Sequence, residues 1–220
     1  MFAEMRAALG ISKGTDILDH IYALPTASER DVAMEAIRAI ERTAMASQVA
    51  QPGLAELMAY LDRRGVQKGI CTRNFDAPVA HLLSTFLPEH VFAPIVTRDF
   101  RPPKPHPAGI LHIARAWGLT RRPGMEGSGT REANEAEVEL EREEREPGGK
   151  VEEEADASRL IMVGDSIDDM TAGRRAGAAT VLLVNPVNAH LAGHEHTDLT
   201  VSRLDELIEV LENGFQGREI

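Results

Sequence analysis

Cysteine, aromatic residues and long apolar runs are all scarce in this 220-residue sequence. The single cysteine, Cys71, excludes an intramolecular disulfide bond and fits a reducing compartment. Aromatic residues make up only 4% of the chain, too few to suggest stacking platforms for nucleic-acid bases. No apolar run is long enough for a membrane-spanning helix, and the N-terminus lacks the pattern of a signal peptide. These absences predict a cytoplasmic protein without a membrane partner.

Basic residues are outnumbered by acidic ones, 24 to 35, which gives a formal net charge of −11. A surface with this charge repels nucleic-acid backbones and anionic membranes, so we expect no nucleic-acid partner. A local basic pocket can still bind a small phosphate. Apolar residues make up 43% of the chain, enough to bury a sizeable core.

From residue 50 onward, short apolar runs alternate with amphipathic segments. The runs VQKGICT, VFAPIV, LIMVG and ATVLLV are nearly continuous in apolar residues, which is typical of strands buried on both faces. The segments between them have helical spacing and often end at a glycine. The pattern predicts an α/β fold, a Rossmann-like parallel sheet with flanking helices, built from residues 50–120 and 158–220.

The first 49 residues show helical periodicity and no strand pattern, so we predict a small separate helical unit over 1–49. Ser28 followed by Asp31 predicts the capping box that begins its longest helix. Residues 121–157 differ from both regions, with 13 acidic residues, 6 basic residues and almost no large apolar side chains. This composition predicts a disordered insertion. An acidic binding tail is the functional alternative.

Three polar groups follow or precede predicted strands at equivalent positions. Asp165 and Asp169, in GDSIDDM, lie one helical turn apart, so both carboxylates can face one point and suit a hard cation such as Mg²⁺. The Thr72 hydroxyl, with the amides of Arg73 and Asn74, could hold a phosphate oxygen. Lys104, between prolines, could hold its ammonium over an anionic site. Taken singly, these residues are equally a helix cap, an ordinary strand threonine and a solvated lysine.

Their order and spacing change this interpretation. The segments ICTRN, KPHPAG and GDSIDDMTAGRRAGA resemble the second, third and fourth motifs of haloacid dehalogenase (HAD)-like hydrolases, in the phosphoglycolate-phosphatase-like branch. The resemblance covers 52–117 and 158–213, and the helical start is similar to a small cap. It implies a Mg²⁺-dependent phosphatase that acts on a small phosphorylated metabolite through an aspartyl-phosphate. A dehalogenase is less consistent with the acidic pair.

The resemblance also implies a role for each matching residue. Thr72 would bind the transferring phosphoryl group, with Arg73 and Asn74 beside it. Lys104 would neutralise the nucleophile and the phosphate, which makes it the candidate catalytic residue. Asp165 would ligate Mg²⁺, and Asp169 would support that metal site.

The nucleophile motif of the family, an Asp-x-Asp at the end of a central strand, is absent from this chain. Asp16 and Asp19 lie in an apparent helix without a preceding strand, so we do not assign them this role. We therefore expect the nucleophile upstream of Met1 and an open slot in the sheet, or poor stability, without its strand. The alternative is a catalytically inactive HAD-like binding or regulatory protein. His190, His194 and His196 lie in a polar loop without metal-ligand spacing, and we expect that loop to be solvated.

Overall fold

A computed structural model describes residues 1–121 and 153–214 of the chain. Its helices are α1 (Phe2–Leu9), α2 (Ile17–Tyr22), α3 (Ala27–Ala46), α4 (Leu54–Arg63), α5 (Asp76–Phe86), α6 (Ala108–Ala116), α7 (Ile167–Ala176) and α8 (Glu206–Asn213). Its strands are β1 (Ile70–Cys71), β2 (Ile95–Val96), β3 (Thr120–Arg121), β4 (Glu154–Ala155), β5 (Ile161–Gly164), β6 (Ala179–Leu183) and β7 (Leu199–Val201). None of the helices in these two ranges is long and apolar enough to cross a membrane.

Helices α1–α3, over residues 1–47, form an N-terminal helical unit with its own hydrophobic cluster. Met5, Ile17, Leu18, Ile21 and Ile37 are almost completely buried in it. The longest helix begins two residues earlier than the predicted capping box, because Thr26 is the N-cap. The Thr26 hydroxyl accepts a hydrogen bond from the Glu29 amide, and the Glu29 carboxylate accepts one from the Thr26 amide. The assignment of Ser28 and Asp31 to this role was therefore wrong.

The rest of the described chain is the predicted α/β layer structure. Strands β5, β6 and β7 form a parallel sheet in that order, and β1 pairs with β2 in a second parallel sheet. Helices α4, α5 and α8 contribute to one apolar cluster against the strands, while α6 and α7 contribute to another. The fold class inferred from the sequence is confirmed. The strands are shorter than their apolar runs, since only Ile95–Val96 of VFAPIV pairs as β2.

An apolar cavity of about 670 Å³ separates the two parallel sheets. Its walls include Leu57 of α4, Ile70 of β1, Ile110 of α6 and Val163 of β5. The amides of Ile70 and Thr72 bond to β2, so the main-chain groups of Cys71 between them face the cavity. Along a strand, the main-chain amides and carbonyls of successive residues face opposite neighbours. The Ala179 amide donates to the Leu160 carbonyl, so the main-chain groups of Ile161 and Val163 face away from β6. This cavity, named the slot below, matches the opening expected in the sheet.

The ends of the predicted acidic insertion carry regular structure. Thr120–Arg121 pairs antiparallel with Glu154–Ala155, and Ala157 is buried against α6. The insertion is therefore shorter than predicted, because its last residues return to the core. Residues 122–152, where the disorder was predicted, lie outside the described residues.

Candidate active site

The four residues that carry the resemblance meet at one edge of the layer structure. Thr72 directly follows β1, Asp165 directly follows β5, and Asp169 lies in the first turn of α7. Lys104 precedes α6, and its ammonium reaches both the Cys71 carbonyl and the Asp169 carboxylate. Since parallel strands present their carboxyl ends at the same edge, the site lies where ligands bind in open α/β sheets.

Lys104 links the end of β1 to the first turn of α7. Its Nζ donates a hydrogen bond of 2.6 Å to the Cys71 carbonyl and forms an ion pair with Asp169 Oδ1. The side chains of both ion-pair partners are only about a tenth exposed, 9% for Lys104 and 10% for Asp169. The ammonium is therefore held in place by two acceptors in a region of low dielectric, where its charge acts strongly.

Asp169 has both carboxylate oxygens in use. Oδ1 faces Lys104, while Oδ2 accepts hydrogen bonds from the amides of Asp165 and Ser166 and from the Ser166 hydroxyl. Burial by itself would raise the Asp169 pKa, but Lys104 and these donors hold it below its ordinary value. A Cβ atom at Gly164 would overlap this carboxylate, so the glycine in GDSIDD is required by the turn. Asp169, one of the two predicted metal residues, lies beside the other, Asp165, and holds Lys104.

Asp165 is the exposed carboxylate of the pair. Partial desolvation and then the nearby charge of Asp169 raise its pKa, while Lys104 opposes this shift. Its backbone carbonyl accepts a 2.8 Å hydrogen bond from Asn188, which fixes the turn after β5. An exposed carboxylate oxygen at a strand end suits Mg²⁺, which takes one or two carboxylates and completes its shell with waters and substrate phosphate oxygens. Within 1–121 and 153–214, no cluster of three metal-ligating side chains is present.

Thr72, Arg73 and Asn74 form a tight turn, named the phosphate loop below. The Asn74 amide donates to the Thr72 hydroxyl oxygen at 3.1 Å, so the hydroxyl keeps its proton for another acceptor. Among buried side-chain atoms of the described residues, Asn74 Oδ1 lacks a hydrogen-bond partner. This amide oxygen accepts hydrogen bonds, so a donor or a cation could pair with it, but a phosphate oxygen could not. The Arg73 guanidinium pairs with the Asp168 carboxylate at 2.6 Å.

Comparisons with known proteins identify the family of the chain. The profile of the haloacid dehalogenase-like hydrolases matches residues 3–177. The chain belongs to this family. It is 41% identical over 218 residues to an uncharacterised hydrolase of Saccharomyces cerevisiae, YOR131C, covering 97% of this chain and 84% of the relative.

Two further HAD-like proteins are more distant. A HAD-like hydrolase domain-containing protein of Arabidopsis thaliana, At2g33255, is 29% identical over 208 residues, covering 92% of this chain and 69% of the relative. The crystal structure of a predicted phosphoglycolate phosphatase from Haemophilus somnus superposes with a TM-score of 0.58 at 16% identity, covering 88% of this chain and 71% of that one. This last likeness concerns the fold.

Three residues of the HAD-like site were not singled out from the sequence. Asn188 donates to the carbonyls of Asp165 and Leu183 and so ties together the turns after β5 and β6. Arg98 donates to the Arg73 carbonyl, and Asp168 pairs with Arg73. The NPVN segment carries the signal of an asparagine turn, whereas nothing local in the sequence marks Arg98.

Other candidate groups lie away from this edge or serve other roles. Asp16 caps α2 through the amides of Leu18 and Asp19, and its carboxylate pairs with Arg98. His196 is more integrated than the predicted solvated loop, since its ring bonds to the Thr171 hydroxyl at 2.9 Å and packs on His194. His190 is exposed.

Proposed function

We propose that this HAD-like hydrolase is a Mg²⁺-dependent phosphatase of a small phosphorylated metabolite in the cytoplasm, working through an aspartyl-phosphate. The observation that carries the proposal is the position of the Lys104 ammonium, which contacts both the Cys71 carbonyl at the end of β1 and the Asp169 carboxylate in the first turn of α7. This edge combines a fixed cation, a hydroxyl donor and an exposed carboxylate. Together these groups meet the main need of phosphoryl transfer, which is the stabilisation of negative charge on the transferring group.

The slot supports a nucleophile that arrives on a further strand, encoded upstream of Met1. Main-chain groups of Cys71 and Val163 face the slot from opposite sides, so a strand parallel to both can pair with β1 and β5. A carboxylate at the carboxyl end of this further strand would lie beside the Lys104 ammonium. The apolar walls would pack against the side chains of the strand, as expected for a strand covered on both faces.

In this mechanism each residue of the chain has one task. Lys104 keeps the attacking carboxylate ionised and neutralises charge on the phosphate. The Thr72 hydroxyl donates a hydrogen bond to a phosphoryl oxygen. The carboxylate oxygen forms a bond to phosphorus as the bond to the leaving oxygen breaks, and the second acid of the Asp-x-Asp motif would protonate that leaving oxygen. The same group would then take a proton from the water that cleaves the acyl phosphate. Asp169 keeps Lys104 in place. A Mg²⁺ ion on Asp165 would supply further charge neutralisation and orientation of the phosphate.

The N-terminal helical unit is proposed to be the cap of the enzyme, over residues 1–49. It contacts the core beside the phosphate loop, where Phe75 packs against its hydrophobic cluster. A cap of this size leaves room for a small substrate, in keeping with the fold shared with a predicted phosphoglycolate phosphatase.

The test is hydrolysis of p-nitrophenyl phosphate with and without Mg²⁺, in two forms of the chain. We expect no turnover for residues 1–220 alone and Mg²⁺-dependent turnover after the residues encoded upstream of Met1 are added. Asp165→Asn should reduce turnover of the extended form at least about 100-fold if the ion is held there. Turnover by residues 1–220 that survives Asp16→Asn and Asp19→Asn would refute the proposed source of the nucleophile.

A non-catalytic phosphate-binding protein is the second candidate. It is favoured by one observation, that the carboxylates Asp16, Asp168 and Asp169 near this edge are all held by arginine, lysine or backbone amides. A stop codon directly upstream of Met1, together with phosphate binding and no hydrolysis, would decide for it.

A further inference from the structure

Arg98 contacts the phosphate loop and the N-terminal helical unit with one side chain. It lies two residues after β2 and is only 8% exposed. Its Nη1 donates to the Arg73 carbonyl at 3.2 Å, and its own amide donates to the Asn74 carbonyl at 3.0 Å. Its Nη2 donates to both oxygens of Asp16 at 3.3 Å. Arg98 therefore joins two parts of the molecule that are far apart in sequence.

The bonds to the loop determine where the loop amides point. In a trans peptide group the carbonyl and the following amide point in opposite directions. Because Arg98 holds the carbonyls of Arg73 and Asn74, the amides of Asn74 and Phe75 are directed away from Arg98. The Asn74 amide accordingly meets the Thr72 hydroxyl oxygen on the far side of the loop. Arg98 thus stabilises the arrangement of donors that a phosphate oxygen would meet.

The bond to Asp16 explains how a buried guanidinium is tolerated beside the loop. A buried charge without a partner is costly, and Asp16 supplies that partner from the start of α2. Burial alone would raise the pKa of Asp16, but the amides of Asp19 and Leu18 together with Arg98 lower it. The Phe75 ring lies 5.8 Å from the guanidinium, and the buried Glu41 of α3 is close enough for its charge to interact with Arg98.

We propose that Arg98 is a positioning residue that couples docking of the N-terminal helical unit to the conformation of the phosphate loop. Asp16 holds the guanidinium, and the guanidinium holds the Arg73 carbonyl, so loss of the first contact loosens the second. The inference rests on the proposed function for its catalytic meaning. The coupling itself is a property of the folded chain and can be measured in residues 1–220.

The experiment is amide hydrogen exchange on peptides that cover residues 72–75, α2 and β6, with and without inorganic phosphate. Asp16→Asn keeps a side chain that can cap α2 but removes the charge that holds Arg98. We expect exchange at 72–75 to accelerate about fivefold or more, although Asp16 does not touch that loop. Exchange in β6 should stay unchanged, which separates this local effect from general destabilisation.

The matched control is Arg101→Gln. Arg101 pairs with Asp19 at 3.4 Å, so it also joins the segment after β2 to α2, but through an exposed contact. It should leave exchange at 72–75 unchanged. The charge swap Asp16→Arg with Arg98→Asp can restore an ion pair but not the loop contact, because an aspartate cannot donate to the Arg73 carbonyl. It also removes the α2 cap, because an arginine cannot accept from the amides of Leu18 and Asp19. Exchange at 72–75 should therefore stay fast in the swap.

Unchanged exchange at 72–75 in Asp16→Asn, or full recovery of the loop in the charge swap, would overturn the coupling. Arg98→Gln removes the loop contact directly and should also accelerate exchange at 72–75. If that variant fails to fold, Asp16→Asn and the charge swap still test the coupling. A further outcome is that phosphate has no effect on exchange at 72–75 in the unsubstituted chain while Asp16→Asn still accelerates it. That result would contradict the proposed function and support the coupling.

Discussion

At the residue scale, the site depends on one buried ion pair. Lys104 and Asp169 are both about a tenth exposed and contact each other directly. Such a pair contributes little net stability over an apolar pair of the same shape, but removal of one partner leaves a buried charge uncompensated. The pair is therefore explained better by the placement of an ammonium at the site than by its contribution to folding.

The first prediction is that Lys104→Met lowers the free energy of unfolding by about 3 kcal/mol, since Asp169 keeps its buried charge without the ammonium. Urea unfolding at pH 7 measures this. Lys13→Met removes the same kind of side chain from an exposed position and should change stability by less than about 0.5 kcal/mol. Equal stability of the two variants would show that the ion pair is not desolvated in solution.

The second prediction concerns Glu41 of α3, which is 6% exposed. Burial raises its pKa above the ordinary 4.5, and the opposing charges of Arg98 and Arg38 do not offset this. Because the folded-state pKa is raised, stability is lost as pH rises from about 4.5 through that pKa. Glu41→Gln cannot ionise, so it should exceed the unsubstituted chain in stability at pH 7 and lose this advantage near pH 4.

Urea unfolding at pH 4, 5, 6 and 7 tests this dependence. Glu35→Gln is the control on the same helix, because Glu35 is exposed and Arg42 lowers its pKa. It should show no gain at pH 7. A Glu41→Gln curve parallel to that of the unsubstituted chain would contradict the raised pKa.

At the scale of elements, helix ends were predicted less accurately than helix interiors. The periodicity of residues 54–64 and the glycine at Gly65 correspond to α4 and its end. In contrast, Ser28 with Asp31 was predicted to begin α3, whereas Thr26 with Glu29 forms the capping box. The second pair also matches the pattern of Ser or Thr followed three residues later by Glu or Gln more closely.

The third prediction separates these two candidates. Thr26→Ala should lower the free energy of unfolding by about 1 kcal/mol, because the two hydrogen bonds of the Thr26 hydroxyl with Glu29 are lost. Ser28→Ala, inside the helix and exposed, should be neutral or slightly stabilising. Thermal unfolding of both variants compares them, and a larger loss for Ser28→Ala would restore the original assignment.

At the scale of the whole molecule, the slot is the dominant feature. Protein interiors are close-packed, and an apolar cavity of about 670 Å³ between two sheets is far larger than ordinary packing defects. It passes between α4 and α6 and separates β1 from β5. The lone cysteine, Cys71, lines it and can report on its occupancy.

The fourth prediction is that adding the residues encoded upstream of Met1 raises the free energy of unfolding by more than about 3 kcal/mol. Each large apolar side chain buried in the slot would contribute about 1.5–3 kcal/mol. The same extension should slow the reaction of Cys71 with a small thiol reagent. Unchanged stability together with an unchanged thiol reaction rate would mean that the slot does not take this segment.

The sequence by itself determined the alternation of helices and buried strands, the separate helical start and the identity of Thr72, Lys104, Asp165 and Asp169 as a group. Periodicity and motif spacing are local, so they can be read without coordinates. Only the tertiary structure decided that Asp169 holds Lys104, that Arg98 reaches Asp16, and that the expected opening in the sheet is an apolar slot. These features join residues 65 and 82 positions apart, and contacts at such separations depend on how the elements pack.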